Sequence, residues 1–290
     1  MRKVLVTGAG GNLGGKLVHT FAKAPWCEKV VAVARPSSFA DGRFANIEKV
    51  EPLPLELTSA SDGEIGEAVA LADTIVHFAV VNALPDATWE EAASSFMMTS
   101  RLLFAARDRG LKRFVFASSN HAVGALKEVH ETLAPGSLTA ERVAPGTHWE
   151  TLDGYMIGYG YGSAKVFTER MCVAAAQRDG LSTVSIRIGW CQVGENLPHT
   201  LNAGGNPKLS AHKRESKSSD SDLRWFRNMW LSNRDFDNLF ERAVLADAAN
   251  WPQPGIVING VSANRGMAWE IETAKQLIGY RPQDDVWSYL

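Results

Sequence analysis

Val4-Leu5-Val6-Thr7-Gly8-Ala9-Gly10-Gly11-Asn12-Leu13-Gly14 reads as a short apolar strand, a tight turn and the opening of a helix. The glycines at 8, 11 and 14 give a GxxGxxG spacing, and the GxGxxG form fails because Leu13 occupies its third glycine place. Three physical needs meet here: a sharp turn, close backbone approach to a ligand, and tight helix–strand packing. The free N–H groups and dipole at a helix start favour an anion, so this loop suits the pyrophosphate of a dinucleotide. Gly8, Gly11, Asn12, Leu13 and Gly14 are therefore candidate cofactor-binding residues.

Outward from this loop the chain alternates strand and helix signals. Strands are expected at 3–7, 29–34, 47–53, 74–78, 113–117, 183–189 and 256–260, with helices at 14–24, 89–109 and 161–178. Several strands are unbroken apolar runs, the pattern of strands covered on both faces. The fold class expected is α/β: a doubly wound, mainly parallel, Rossmann-like sheet with a small C-terminal substrate lobe. Residues 1–290 read as one domain, with about 1–189 a cofactor-binding core and about 190–290 mainly a substrate lobe with returning core elements. Two segments break the rhythm. Residues 134–160 are rich in Gly, Pro and Thr, and residues 192–222 are polar, so the second reads equally as a lid or as disorder. The alanine-rich stretch 243–249 reads as helix.

Composition narrows the class. The chain has 290 residues, a formal net charge of −2 and 45% hydrophobic residues. This balance offers nothing to nucleic acid, and no apolar run is long enough to span a bilayer. The N-terminal apolar run is too short for a signal peptide. Three scattered cysteines, Cys27, Cys172 and Cys191, suggest neither a disulfide framework nor a metal site. A reducing cytoplasm is the expected location. The nine tryptophans read as packing residues, and His19, His77 and His148 as structural.

Strand two ends at Ala34 and is followed by Arg35, where an NAD enzyme usually carries a carboxylate for the ribose hydroxyls. An arginine there faces a 2′-phosphate, which favours NADP over NAD by a small margin, and a solvated loop arginine is the plain alternative. Glu56, after the third strand, is placed to reach adenine, and an ordinary surface carboxylate is the equal alternative. Tyr161-Gly162-Ser163-Ala164-Lys165 is a YxxxK motif at a helix start, so both side chains share one face. A lysine ammonium there is expected to lower the tyrosine pKa. A tyrosine so poised removes a hydroxyl proton as hydride leaves carbon. Ser119 ends an apolar strand, where ligands bind in parallel sheets, and can hydrogen-bond the reacting oxygen. Tyr159 is excluded because Ser163, not a lysine, follows four places on.

With these residues the chain resembles the extended short-chain dehydrogenase/reductase superfamily, also called the NAD-dependent epimerase/dehydratase family, and within it the bacterial uronate dehydrogenases. The resemblance rests on residues 6–14, 75–78, 116–124, 161–169, 186–189, 230–236, 260–264 and 277–282. It implies a Ser119, Tyr161 and Lys165 triad, with Asn120 and His121 on sugar hydroxyls. It also implies an arginine for a substrate carboxylate, and Arg224 and Arg227 flank that place. Leu57, Phe78, Ala79 and Ile188 complete the candidate cofactor contacts, beside Tyr161 and Lys165 themselves. A homodimer through the helices at 89–109 and 161–178 is implied as well. The chain departs from the family at Arg35, at Ser95 in place of an asparagine, at Met98 in place of a glycine, and in two longer loops.

The function expected is hydride transfer between a uronate-like sugar acid and NADP or NAD, with the anomeric carbon oxidised to a lactone. Alternatives are an NADP-dependent carbonyl reductase or a sugar epimerase/dehydratase on the same scaffold. A non-catalytic dinucleotide sensor would keep the glycine loop and tend to lose Tyr161 or Lys165, and both are present.

Overall fold

The structure is a computed structural model that describes residues 1–84, 86–151, 154–201 and 220–290. Its centre is a seven-stranded sheet in which every pairing is parallel. The strands are β1 (Arg2–Thr7), β2 (Cys27–Ala34), β3 (Val50–Pro54), β4 (Thr74–His77), β5 (Arg113–Ser119), β8 (Ser182–Ile188) and β9 (Gly255–Gly260), in the order β3-β2-β1-β4-β5-β8-β9. Strand order reverses between β1 and β4, the switch point where such sheets open a crevice at their carboxyl ends.

Alternation along the strands builds a core on each face. Val4 and Val6 of β1 pack on one side with α1 (Asn12–Lys23), α6 (Asn233–Leu245) and α7 (Glu272–Ile278). Leu5 points to the other side, among α2 (Asp62–Val69), α3 (Trp89–Asp108) and α4 (Gly160–Asp179). Both faces being dry explains why the strands read as continuous apolar runs. A third cluster joins Trp225 and Phe226 of α5 (Asp220–Asn228), with Met229 just beyond its end, to Val261 and Trp269. The tryptophans at 225, 230, 251 and 269 are buried packing residues, as expected, whereas Trp89 at the start of α3 is exposed and departs from that expectation.

Three segments differ from the sequence reading by more than two residues or in kind. β3 begins at Val50 rather than 47, because Lys49 adopts a left-handed φ of 66° before it. Residues 134–160 contain a hairpin away from the main sheet, β6 (Thr147–Thr151) paired antiparallel with β7 (Gly154–Gly158). The helix expected over 243–249 stops at Leu245. Arg113 reaches from β5 and donates to Ala243 O (2.5 Å) and Ala246 O (2.8 Å), which satisfies the last carbonyls where the helix ends. The core of the polar 192–222 segment, residues 202–219, lies outside the described residues, as does the side chain of His148.

Residues 191–201 are tied down. Asn12 Nδ2 and Lys16 Nζ both donate to Gln192 O, at 3.2 and 2.9 Å, and Lys16 Nζ also donates to Asn233 Oδ1 at 2.7 Å. Thr20 Oγ1 of α1 donates to Asp237 of α6, and Trp26 Nε1, in the turn between α1 and β2, donates to Glu241 of α6.

Candidate active site

The glycine loop explains its own composition. Gly8 has φ 68°, and a Cβ there would lie 2.8 Å from Ala79 N. A Cβ on Gly14 would overlap Gly8 O. Gly11 is less constrained, its Cβ position lying 3.3 Å from Gly8 O, and it serves as N-cap of α1. α2 and α3 start with complete capping boxes, Ser61/Glu64 and Thr88/Glu91, but no side chain caps α1 and its first turn holds no acid. An uncapped helix start with a bare backbone is the cradle that a pyrophosphate fits.

Two contiguous cavities open along the carboxyl ends of the strands, sharing Gly8, Gly11, Phe78 and Val80 in their walls. The first, about 360 Å³, is lined by Arg35, Ser38, Glu56, Leu57, Ala79 and Met98 among others. Arg35 is exposed, and Glu56 turns its carboxylate to Thr58, accepting from Oγ1 at 2.8 Å. Beside it Arg43 Nη1 donates to Gly10 O at 2.7 Å, a second guanidinium at this end. Nothing in the periodicity of residues 35–47 marks Arg43 as belonging to the loop. The second cavity, about 340 Å³, gathers Asn12, Leu13, Gly14, Ser119, Asn120, His121, Tyr161, Lys165 and Ile188, with Trp190 and Cys191, which the sequence did not single out. Burial pushes the Cys191 thiol up to about 12, so it stays protonated.

α4 presents Tyr161 and Lys165 one turn apart, as the spacing demands. Lys165 Nζ donates to Ala117 O at 2.7 Å and lies 5.4 Å from the Tyr161 ring centre. Burial draws the lysine down to about 7, while Glu169 raises it. Burial also raises the Tyr161 phenol above its ordinary range, and a hydrogen bond with Ser119 opposes that shift. The expectation that the lysine leaves the phenol with a lowered pKa is thus corrected, because desolvation outweighs the other influences. The Tyr159 side chain is exposed, consistent with its exclusion.

Ser119 and its neighbours are fixed by their own bonds. Ser119 Oγ accepts from His121 N at 3.2 Å. The Asn120 amide donates to Ile188 O at 3.1 Å, joining the ends of β5 and β8, while its buried Oδ1 has no partner. His121 Nδ1 lies 2.8 Å from Thr147 Oγ1, and its ring meets Tyr161 edge-on at 5.6 Å.

His77, read as structural, underpins the wall shared by the two cavities. Ala79 N–H donates to Thr7 Oγ1 (3.2 Å), and Thr7 Oγ1 lies 2.6 Å from His77 Nδ1. His77 Nε2 lies 2.9 Å from Thr99 Oγ1, which donates to Ser95 O. Because Thr99 has spent its proton on Ser95 O, the histidine must carry its hydrogen on Nε2 and accept from Thr7 on Nδ1. Burial, with Lys165 adding to it, lowers this imidazole to about 3. Ser95 Oγ in turn accepts from Val81 N at 3.0 Å, so the serine that replaces the usual asparagine holds the backbone of the same wall.

Arg224 and Arg227 are not brought to the Tyr161 cavity. Arg224 lines a separate space with Asn228, Arg265, Gly266 and Trp287, and Arg227 lies over the Trp287 ring at 5.8 Å. No group of three or more His, Cys, Asp or Glu side chains gathers as a metal site among the described residues.

The model of the family described as "NAD dependent epimerase/dehydratase family" matches residues 4–192. The L-arabinose 1-dehydrogenase (NAD(P)(+)) of Haloferax volcanii is 28% identical over 287 residues, spanning 98% of each chain. The uronate dehydrogenase of Pseudomonas syringae pv. tomato is 29% identical over 284 residues, covering 97% of this chain and 82% of the relative. In fold, the crystal structure of uronate dehydrogenase from Agrobacterium tumefaciens is similar with a TM-score of 0.69 and 24% identity, covering 100% of this chain and 87% of that one.

Proposed function

Because the chain belongs to the NAD dependent epimerase/dehydratase family, we propose that it is an NAD(P)-dependent dehydrogenase oxidising the anomeric carbon of a sugar acid to a lactone. The observation that carries this is the convergence of Ser119, Tyr161 and Lys165 in one cavity beside the glycine loop. The uncapped start of α1 at Gly11, Asn12 and Leu13 holds the pyrophosphate, and the bound dinucleotide supplies the hydride acceptor. The chain itself handles the proton. Tyr161 takes it from the anomeric hydroxyl, Ser119 holds the same oxygen, and Lys165 favours the phenolate by its charge. Asn120 and His121 orient the remaining hydroxyls, an alignment effect worth about 7–11 kcal/mol when complete.

A second reading takes a neutral aldose as substrate. It is supported by the position of Arg224 and Arg227 outside the Tyr161 cavity and by the end-to-end match to an arabinose dehydrogenase. Initial rates on paired substrates, a uronate against its parent aldose with NAD and with NADP in turn, decide between them. Activity on neither class would sink both.

The cofactor preference proposed is NADP over NAD, with dual use as the neighbouring outcome. Arg35 at the end of β2 supports it. The division proposed is a cofactor core over about 1–189 and a substrate lobe over about 190–290, supported by α5 and its aromatic cluster beyond the core, with β9 returning to the sheet. A homodimer through α3 and α4 is part of the same proposal, since Met97 and Phe104 on α3 and Phe167 on α4 are exposed apolar side chains on helices packed together. A cytoplasmic location accords with three free cysteines. No described helix is long and apolar enough to cross a membrane.

A further inference from the structure

Behind Lys165, α4 places a third functional group at the same spacing. Tyr161, Lys165 and Glu169 stand four residues apart on successive turns, so all three share one helix face. Glu169 is completely buried and so is its partner Arg187 on β8. The pair is bidentate: Arg187 Nε donates to Glu169 Oε1 at 2.9 Å and Nη2 to Oε2 at 2.8 Å. Ser118, the neighbour of Ser119, donates to the same Oε1 at 2.5 Å. Arg187 Nη1 then donates to Arg142 O at 2.8 Å. That loop continues to Gly146, whose N–H donates to His121 O at 3.0 Å.

A buried ion pair is a costly way to fill a core, and apolar residues of similar volume are often as stable or more so. Its position points to another use. The charged and titratable groups around Lys165 are Tyr161 and Glu169 on its own helix, His77 from β4 and, beyond Glu169, Arg187 from β8. His77 is neutral, and the ring of Phe116, 4.7 Å from Nζ, is the β5 contact. Glu169 is therefore the anion facing a lysine that is otherwise desolvated, and Arg187 limits how strongly that anion acts.

We infer that the Glu169–Arg187 pair sets the charge of Lys165, and through it the working pH of Tyr161. Both are positioning residues acting through Lys165. The inference rests on the reading above that Tyr161 and Lys165 handle the substrate proton. Removing the anion leaves Arg187 a buried cation with a carbonyl partner and only the attraction of Glu141 to offset its charge, and both changes disfavour the lysine ammonium. Removing the cation has the reverse effect.

The test is a titration of the protein without cofactor, labelled with ¹³C at lysine Cε. The Lys165 resonance is identified by its disappearance in Lys165→Met. In Glu169→Gln its midpoint falls by about one pH unit or more, and in Arg187→Met it rises by about as much. A pair with only a structural role moves neither, and unmoved midpoints in both variants overturn the inference. If a single variant fails to fold, Glu169→Gln/Arg187→Met, which removes both members of the buried pair together, carries the test. Its midpoint falls by less than that of Glu169→Gln because the nearer group is the anion, and a midpoint equal to the wild type overturns the inference. The alkaline limb of kcat moves in the same direction as each midpoint. Since the titration needs no substrate, a failure to oxidise any sugar removes the functional reading alone, whereas turnover with unmoved midpoints removes this inference alone.

Discussion

The two ends of the cleft are built on different principles. The end near Arg35 is made of backbone, a helix start and open side chains: Arg35 stands in solvent, and Glu56, half-buried, is turned to Thr58. The end near Tyr161 is made of side chains locked by buried bonds, with Lys165 on Ala117 O, Ser118 on Glu169 and Asn120 on Ile188 O. The first end recognises a ligand by shape and charge that water still screens. The second holds groups whose protonation is shifted by burial. Substitutions at the first end should therefore change affinity, and those at the second should change chemistry.

The largest effect should come from Tyr161→Phe. Losing the phenol hydroxyl should lower kcat by about 10²–10⁴-fold, the usual contribution of a positioned acid–base group. Dinucleotide affinity, measured by calorimetry, should stay within about twofold. A parallel loss of affinity would break the division between the ends.

Next is the wall the ends share. His77 has its pKa lowered to about 3, so the folded state resists protonating it while the unfolded chain protonates near 6.5. Stability contributed by the neutral imidazole is complete above pH 6.5 and is lost as pH falls from there toward 3. The slope is about 1.4 kcal/mol per pH unit within that window. His77→Gln should be less stable near neutrality and lose this part of the acid sensitivity, visible as a smaller drop in denaturation midpoint between pH 7 and about 5. Equal acid sensitivity in both proteins would mean that the histidine is not the neutral strut its bonds describe.

Arg35→Asp should act at the open end alone. Replacing an attraction for a 2′-phosphate with a repulsion is worth about 1.5–3 kcal/mol, or at least about tenfold in the NADP to NAD affinity ratio, with kcat little changed. If wild type prefers NAD and the variant behaves alike, Arg35 is an ordinary surface residue. The smallest effect is expected from Arg224→Met. With its side chain in a separate space, kcat/KM for a uronate and for its parent aldose should both change by less than about threefold, under 0.7 kcal/mol. A selective loss on the uronate would bring Arg224 back to the substrate.

The open end and the triad were legible because each imposes a local rule. Gly8 and Gly14 leave no space for a Cβ, and the Tyr161–Lys165 spacing is one helical turn, so the sequence must display both. The rest depends on partners distant in the chain. Glu169 meets Arg187 across a helix–strand connection, and Arg113 meets the end of α6 from far upstream. Helix propensity alone continues through Ala246, and α6 stops short where Arg113 takes its last carbonyls and Asp247 caps the turn that follows. The β6–β7 hairpin hid in a Gly, Pro and Thr-rich stretch because it stands off the main sheet and carries no long apolar alternation. Arg224 and Arg227 illustrate the converse: the right residue type near the right motif still needs a direction to point.

The place of β9 bears on how the chain is made. During synthesis β8 emerges with its outer backbone edge unpaired, and that edge stays open until the residues through Gly260 have left the ribosome. Arg113 likewise waits for the carbonyls of Ala243 and Ala246. A nascent chain stalled soon after β8 would thus present a bare parallel edge, with Arg113 held by Ser182 alone, the kind of surface that recruits chaperones or joins a second nascent chain. β9 therefore covers the edge of β8 and becomes the outer strand of the sheet in its place.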